Sequence, residues 1–578
     1  MLKARSVHPI REQRGIVLIV SMLVMAILSV LGLAFLMTAR TEDAIAGNYR
    51  NHTAAFYAAE AGLESGVSSL KSLLGATPTP TDAQLAGLIS PALTDPTFTF
   101  DTFQVSRVRM TPPFSYTTTL SGGAYNGLVG QTTDYAVTAS VQGPRGSRAR
   151  LTQKVQFVGI PLFQFAAFYG RGVDLENYNG PAMTISGRIH ANSNIYLMTD
   201  HGLKIDSYVT TAGNIYRGTK ARPGETRTNP EIKDASGNYQ ELNFDHFYDY
   251  DFTNPWSKSE WRDAALKTFG GRVQDSAMGV QEIVPPIPDA FYDPNNADKS
   301  SHLMIEKGSA ADPPELKDAK LYYKADLIIV DEKAYDQAGN EVKLNTCKDA
   351  KGSKAVRKET FYDGREKTNM EVTQVDVGAL TACGVMPANG ILYVAPKAIG
   401  PNKGEGVRLV NGAELPKTGL TVVSENPVYV QGEYNTVNKV PAAVMGDAIT
   451  VLSNNWEKNG YDKKGKEYYT ERPASPTTVN AAFATGPSHE SEPGKENGQL
   501  NNLIRFLENW TDTDFNYNGS LVALWHSQLA TEWFRINTPD GYYKPPNRIW
   551  AYDPLFNTNP PPGTPMGIIV TRGQWSEG

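Results

Sequence analysis

Residues 16–37 form a 22-residue apolar run without a charge, preceded by a stretch in which Lys3, Arg5, Arg11 and Arg14 face one acid, Glu12. About 20 apolar residues suffice to cross a bilayer as a helix. The basic flank marks the cytoplasmic side and sends the remainder of the chain across. A secretory signal has a shorter apolar stretch followed by small residues at its cut site; here a glycine, Gly15, precedes the run. Past the run the pattern turns amphipathic. Ile45, Tyr49, Phe56, Leu63, Val67, Leu70 and Leu74 recur three, four or seven apart, which places them on one helical face. Ala44, Ala46, Ala54, Ala55, Ala58, Ala59 and Ala61 add helix propensity, and no proline interrupts residues 16–75. The pattern predicts one helix over 16–75, roughly 90 Å long, lipid-soluble in its first half and striped for packing in its second.

ATPTPTDAQ (76–84) breaks the helix, so 76–96 reads as a linker. Over 97–180 the pattern is that of antiparallel strands. Tyr135, Val137, Ala139 and Val141 alternate on one strand, and Leu151, Val155 and Phe157 on the next, with GPRG (143–146) as the turn between them. From about 180 the strands shorten to four to six residues with Gly or Asn at their ends. Examples are MTISGRIHANSNIYL (183–197), GILYVA (390–395), VRLVNG (407–412), LTVVSENPVYVQGEYN (420–435), AAVMGDAITVLSNN (442–455) and GSLVALW (519–525). That texture suits a β-solenoid or parallel β-helix. A two-sheet sandwich gives a similar rhythm, and no fixed repeat period is read from it. Within this head (181–578), a charged region at about 199–385 carries the turn sequences DASGN (234–238), DQAGN (336–340) and DGRE (363–366). It reads as an insertion or a separate lobe. The expected fold class is α+β: a long N-terminal helix followed by a predominantly β head.

Composition narrows the function. With 51 Gly, 37 Pro and 28 Tyr among 578 residues, many short strands joined by turns are favoured over a helical bundle. A net charge of −6 and no long basic stripe give no reason to expect nucleic acid as a partner. Cys347 and Cys383 suit one disulfide in an oxidising compartment, or stand as two thiols. No CxxC or Cys/His motif suggests zinc, and there is no GxSxG, HExxH or phosphate-binding P-loop; GPNKGEG (400–406) lacks the terminal Lys-Ser/Thr of the last. No cofactor is expected, with one candidate set aside: Asp512, Asp514, Asn516 and Asn518 offer oxygens at alternate positions, as a calcium loop begins. The Gly and Glu that such a loop needs at its sixth and twelfth positions are here Tyr517 and Ala523, so a polar turn leading into a strand is the simpler reading. His190, between apolar positions and beside Asn192, reads as a hydrogen-bonded structural residue. Asp447 and Asp512 are the carboxylates a glycan-cleaving site would need, and nothing in the sequence brings them together. YDGREK (362–367), YDKKGKEYY (461–469) and GYYKPP (541–546) read either as exposed aromatic surfaces for a glycan or protein, or as solvated tips.

Arg14-Gly15 followed by IVLIVSMLVMAILSVLGL resembles the class III leader of type IV pilins, and RTEDAIAGNYRNHTAAFYAAEAGLESG (40–66) is similar to the N-terminal segment of PilX-type minor pilins. GRIHANSNIYL, SENPVYVQGEYN, MGDAITVLSNNW, RFLENW and PPNRIWAYD also resemble the extended heads of large PilX-type proteins. The resemblance implies removal of residues 1–15 by a prepilin peptidase, cutting between Gly15 and Ile16. It implies a single-pass protein of the bacterial inner membrane, with its head in the periplasm and later on an extracellular pilus. Its partners would be other major and minor pilins, the peptidase and the inner-membrane assembly platform, with a surface or glycan ligand as a further candidate. Small residues Ser21, Ala26, Ser29 and Gly32 would let neighbouring helices approach closely. One position departs from major pilins: the fifth residue after the cut is Val20, where they carry Glu. That departure is similar to minor pilins and to the K-type pseudopilin of type II secretion. The reading is a non-enzymatic minor pilin, tip-located, priming assembly or mediating adhesion. A type II secretion pseudopilin and a membrane-tethered β-helix enzyme acting on glycans are the alternatives.

Overall fold

The computed structural model describes residues 14–76, 80–220, 222–223, 228–244, 257–285, 287, 291–396, 404–456, 472–490, 497–536 and 541–578. Residues 1–13 of the expected leader and the YDKKGKEYY segment lie outside the described residues. Helix α1 runs from Arg14 to Ala76 without a break, as its alanines and lack of proline dictate. In the expected linker a short helix, α2 (Asp82–Ala86), is started by a Thr81–Gln84 capping box.

The sheet consists of β1 (Thr99–Arg107), β2 (Tyr116–Thr119), β3 (Val129–Gln142) and β4 (Arg148–Pro161). Arg107, on β1, donates to Asp82 and to the Pro80 carbonyl, which ties the linker to the sheet. β3 and β4 pair antiparallel, with Ala139 opposite Leu151 and Tyr135 opposite Val155. They turn at GPRG, where Arg145 and Gly146 take positive φ of 56° and 76°. The chain's last strand, Met566–Glu577, pairs antiparallel with β4, Met566 opposite Pro161. The helix-bearing sheet is therefore not confined to 97–180. It ends at Pro161, everything from there to Met566 is one excursion, and the C-terminus returns to close it.

The excursion is built from parallel rungs. Ala167–Tyr169, Ile189–Ala191 and Val209–Thr211 stack on one face. Leu175–Asn179, Ile195–Thr199 and Ile215–Thr219 stack on the second, and Met183–Ile185 and Leu203–Ile205 on the third. Ile195 pairs with Leu175 and with Ile215, 20 positions to either side, so a 20-residue repeat runs through this part. Further parallel rungs follow in the order Leu327–Val330, Ile391–Ala395, Leu420–Val423, Ala442–Met445, Ala482–Ala484 and Asp514–Ala523. The last of these pairs with Ala167–Tyr169, joining both halves into one long sheet. Parallel pairing at every one of these rungs is the pattern of stacked coils rather than of an antiparallel sandwich.

Parallel sheets need cover on both faces, and the residue alternation supplies it. Tyr169, Ala191, Val422, Val444, Phe483 and Leu521 point into the coils. Phe168, Tyr393, Val423, Met445, Ala484 and Val522 point outward under a covering segment that contains Ile283, Met304 and Leu316. The ends are closed as well. Helix Lys258–Phe269 places Trp261, Ala265 and Phe269 over the early coils, and hairpin strands at 333–342 finish the long sheet. The charged region 199–385 is thus no separate lobe, since its strands join the sheets of the coils, some as parallel rungs and others as antiparallel hairpin strands. DASGN, DQAGN and DGRE each turn a hairpin within it.

Cys347 and Cys383 are joined, with Cα atoms 5.4 Å apart, which ties the Val356–Asp363/Thr368–Asp376 hairpin to the short helix Val377–Ala382. Closing a loop of this length is worth about 4 kcal/mol in chain-entropy terms. Cys347→Ser is expected to lower the melting temperature of the head in the absence of reductant, where the wild type keeps its disulfide. The wild type should fall to the variant's value only on reduction.

Inside the later coils Glu508 is buried and accepts from the backbone N–H and the hydroxyl of Ser453, both at 2.7 Å. Burial pushes its carboxyl up to about 7. A carboxyl raised on folding binds its proton more tightly in the folded protein. Its stabilising contribution is complete below the unfolded value near 4.5 and is lost as pH rises through 7. The loss amounts to about 3 kcal/mol. Glu508→Gln keeps partners for Ser453 and carries no charge, so the drop in melting temperature between pH 5 and pH 8 is expected to shrink in that variant.

Candidate functional site: an assembly helix

The surface that most needs a partner is the first half of α1. Every large apolar side chain from Ile16 to Met37 is exposed; Phe35, for example, is 74% accessible. The band is long and apolar enough to cross a membrane, and an exposed apolar surface of this size marks a membrane or protein contact. Its hydroxyls are satisfied internally: Ser21 donates to the Leu18 carbonyl at 2.9 Å and Ser29 to the Met25 carbonyl at 2.7 Å. At about 100° per residue, Ser21, Gly32, Ser29 and Ala26 fall within one arc of about 140°. A Cβ placed on Gly32 would touch nothing. The band therefore presents one face of small, self-satisfied residues where another backbone can come close.

The second half of α1 is held by the sheet. Ala55, Ala59, Leu63, Val67, Leu70 and Leu74 are buried against Tyr135, Val137, Ala139, Val141, Leu151 and Val155. Gly62 and Gly66 allow the close approach: a Cβ on Gly62 would lie 2.6 Å from Phe100 and one on Gly66 2.6 Å from Val137. The C-terminal strand adds a clasp. Trp575 packs edge-on to Phe56 with centroids 5.4 Å apart, Arg572 pairs with Glu64, and Glu577 lies 3.7 Å from His52. The expected apolar stripe is buried only from about residue 55. Ile45 and Tyr49 are bare, at 63% and 75% accessible, because the strands of the sheet do not cover them. With Tyr57 they form an apolar strip between the band and the head, open to neighbours.

The other residues singled out from sequence fall elsewhere. Gly15 and Ile16 lie in the first helical turns. Asp514, Asn516 and Asn518 lie along the extended strand Asp514–Ala523, each about 7 Å from the next, and Asp512 sits in the turn before it with φ of 54°. Their oxygens do not converge, and Asp514 accepts from Asn547 at 3.1 Å. Asp447 is fully buried and accepts from the backbone N–H groups of Leu529 (3.2 Å) and Ala530 (2.8 Å), so it anchors a loop and forms no pair with Asp512. His190 is buried, stacked on Phe168, and hydrogen-bonded through Nδ1 to Thr210 and through Nε2 to Asn192; burial lowers it to about 4.

Two of the expected aromatic surfaces are interior instead. In YDGREK, Asp363 accepts from the Tyr429 hydroxyl at 2.7 Å, and Arg365 donates to Ser488 and to the Glu532 carbonyl. In GYYKPP, Tyr542 and Tyr543 are buried and stacked on each other. The rings of Tyr542 and Tyr543 are in the core while Tyr362 is half-buried, and beside it Asp363 and Arg365 are held by neutral donors and acceptors and Glu366 by Arg505.

Residues 14–64 match the family model described as PilX N-terminal. The match covers the bare band and the first turns held by the sheet. No curated protein matches the chain. Among solved structures, the crystal structure of the competence-associated pilin ComZ from Thermus thermophilus aligns with 91% of this chain and 97% of that one. Its 11% identity and TM-score of 0.30 make that likeness too distant to argue from. The likeness to the PilX N-terminal family is therefore carried by residues 14–64, the segment that forms most of the long apolar helix on which the β-rich head is seated.

Proposed function

We propose that this chain is a minor pilin, held in the bacterial inner membrane by residues 16–37 and then packed into a type IV filament, where its head sits at the tip and primes assembly. One observation carries the reading: a single continuous helix is bare and apolar over one half and gripped by a sheet over the other. Cleavage after Gly15 would free Ile16 as the new terminus. The strip of Ile45, Tyr49 and Tyr57 would then meet neighbouring subunits, beside other pilins and the inner-membrane platform. Tip placement is favoured by bulk, because the excursion between Pro161 and Met566 is too large to repeat at each step of a thin shaft. Val20 points the same way, since it offers no carboxylate to pair with the terminal amine of a subunit beneath it in a shaft. The chain acts by assembly and surface contact rather than by catalysis, and adhesion is the role assigned to the distal coils.

Gold-labelled antibody against the head should mark filament ends, and deletion of the gene should sharply reduce the number of filaments. Labelling along whole shafts, with normal filament numbers in the deletion strain, would overturn the tip assignment. Val20 also fits a pseudopilin of type II secretion. Cross-linking from Tyr49 separates the two readings by whether pilins or secretion pseudopilins are captured.

A further inference from the structure

Three residues far apart in sequence meet where the covering segment borders the long sheet. Asp298 lies in the short helix Ala297–His302 of the covering segment. His489 follows the rung Ala482–Ala484, and His526 follows the rung Asp514–Ala523. These two rungs are adjacent in the sheet, so the loops leaving them are brought side by side. The imidazoles of His489 and His526 stack with centroids 4.0 Å apart and planes 21° from parallel. Both aim a nitrogen at the same carboxylate oxygen: His526 Nδ1 lies 3.1 Å from Asp298 Oδ2, and His489 Nε2 lies 3.8 Å from it. All three atoms are within 4.8 Å of one another. A tetrahedral ion with bonds near 2.0 Å holds its ligand atoms about 3.3 Å apart, so small side-chain shifts would complete the set.

The surroundings favour a cation. The cluster lines a cavity of about 280 Å³ whose rim also carries the carboxylates of Asp174, Glu176 and Glu490. Lys220 is the lysine in that lining, and Asp174 already pairs with it at 2.8 Å. Carboxylates in excess raise the local concentration of cations, and the cavity leaves room for water at a fourth position. The loops are also fixed. The His526 carbonyl accepts from Gln528 at 2.8 Å, Ser488 accepts from Arg365 at 3.2 Å, and one turn beyond Asp298 His302 is paired with Glu306 at 3.1 Å. Two imidazoles and one carboxylate select a borderline transition metal over calcium or magnesium, which require a shell of oxygens.

We propose that Asp298, His489 and His526 bind one divalent transition-metal ion, zinc by preference, which clamps the covering segment to the loops of two adjacent coils. The test titrates cobalt(II), then zinc(II), into metal-stripped, tag-free full-length protein in detergent. Bound cobalt is followed by its visible absorption, and metal content after dialysis by elemental analysis. One ion per chain is expected, with zinc displacing cobalt. His489→Ala should weaken cobalt binding at least about 10-fold, the loss that even outer-shell partners produce. His489 is the informative variant because its side chain is 47% accessible and supports no core packing. Asp298→Asn should lose the ion as well while keeping the shape of the side chain. A wild-type protein that retains no stoichiometric metal, or a His489→Ala protein that binds with unchanged affinity, would overturn the proposal.

Discussion

Replacing Val67 by Asp is expected to detach the head from its helix and to lower the stability of the helix–sheet unit by about 3–5 kcal/mol. Val67 is fully buried among Leu63, Leu70 and Val137, and a carboxylate there has no partner and no water. The change should appear as a lower midpoint in chemical unfolding of the full chain in detergent, and as new protease cleavage near the linker at 76–96. Tyr57→Asp, on the same helix but 62% exposed, should shift the midpoint by no more than about 0.5 kcal/mol. A Val67→Asp protein as stable as the Tyr57→Asp protein would mean that the helix is not held by this face.

Arg505→Ala should cost about 3–5 kcal/mol in the coiled part. Arg505 is buried and donates to Glu366 at 3.1 Å, to the carbonyls of Ala530 and Gly486, and to the Ser527 hydroxyl. Its loss takes this donor from the Ala530 carbonyl and leaves the buried Glu366 carboxylate without its cation, while the Gly486 carbonyl keeps the Ser527 hydroxyl. Burial already pushes the Glu366 carboxyl up to about 7, so the deficit should be smaller at pH 5, where that group takes a proton, than at pH 8. Replacing both residues, as Arg505→Met with Glu366→Gln, should recover most of the stability because no charge is then left unpaired. Equal losses for the single variant at both pH values would assign the effect to packing alone.

Much of the helix was legible because its signals are local: an unbroken apolar run, alanines at close intervals and no proline. The β3–β4 hairpin was legible for the same reason. Alternation fixed the buried faces of Tyr135, Val137 and Leu151, and GPRG fixed the turn. The Asp-led turns at 234, 336 and 363 likewise carry their own hydrogen-bonding logic, as Asp234 shows by accepting from the N–H groups of Ser236 and Asn238.

What escaped was long-range. Nothing near Met566 announces that it pairs with Pro161, and that one contact turns the whole middle of the chain into an excursion from a small sheet. The 20-residue repeat is carried by few coils, with conservative apolar exchanges such as Ile189 for Val209, so its period is weak in the letters. Tyr542 and Tyr543 of GYYKPP, and the charges of YDGREK, looked exposed by their polar neighbours, yet both tyrosines are buried and Asp363, Arg365 and Glu366 find partners in distant parts of the chain. Alternate oxygens at 512–518 suggested a loop, whereas the aromatic residues between them, Phe515 and Tyr517, are buried and make a strand. The cluster of Asp298, His489 and His526 had no sequence signal at all, since its members are 191 and 37 residues apart along the chain.

The central claim, that this is a processed pilin subunit, is tested most directly by the N-terminus of the membrane-extracted protein from strains with and without a prepilin peptidase. A chain beginning at Ile16 only where the peptidase is present is the predicted result. An intact Met1 in both strains would contradict the account and leave a signal-anchored surface protein in place of a filament subunit.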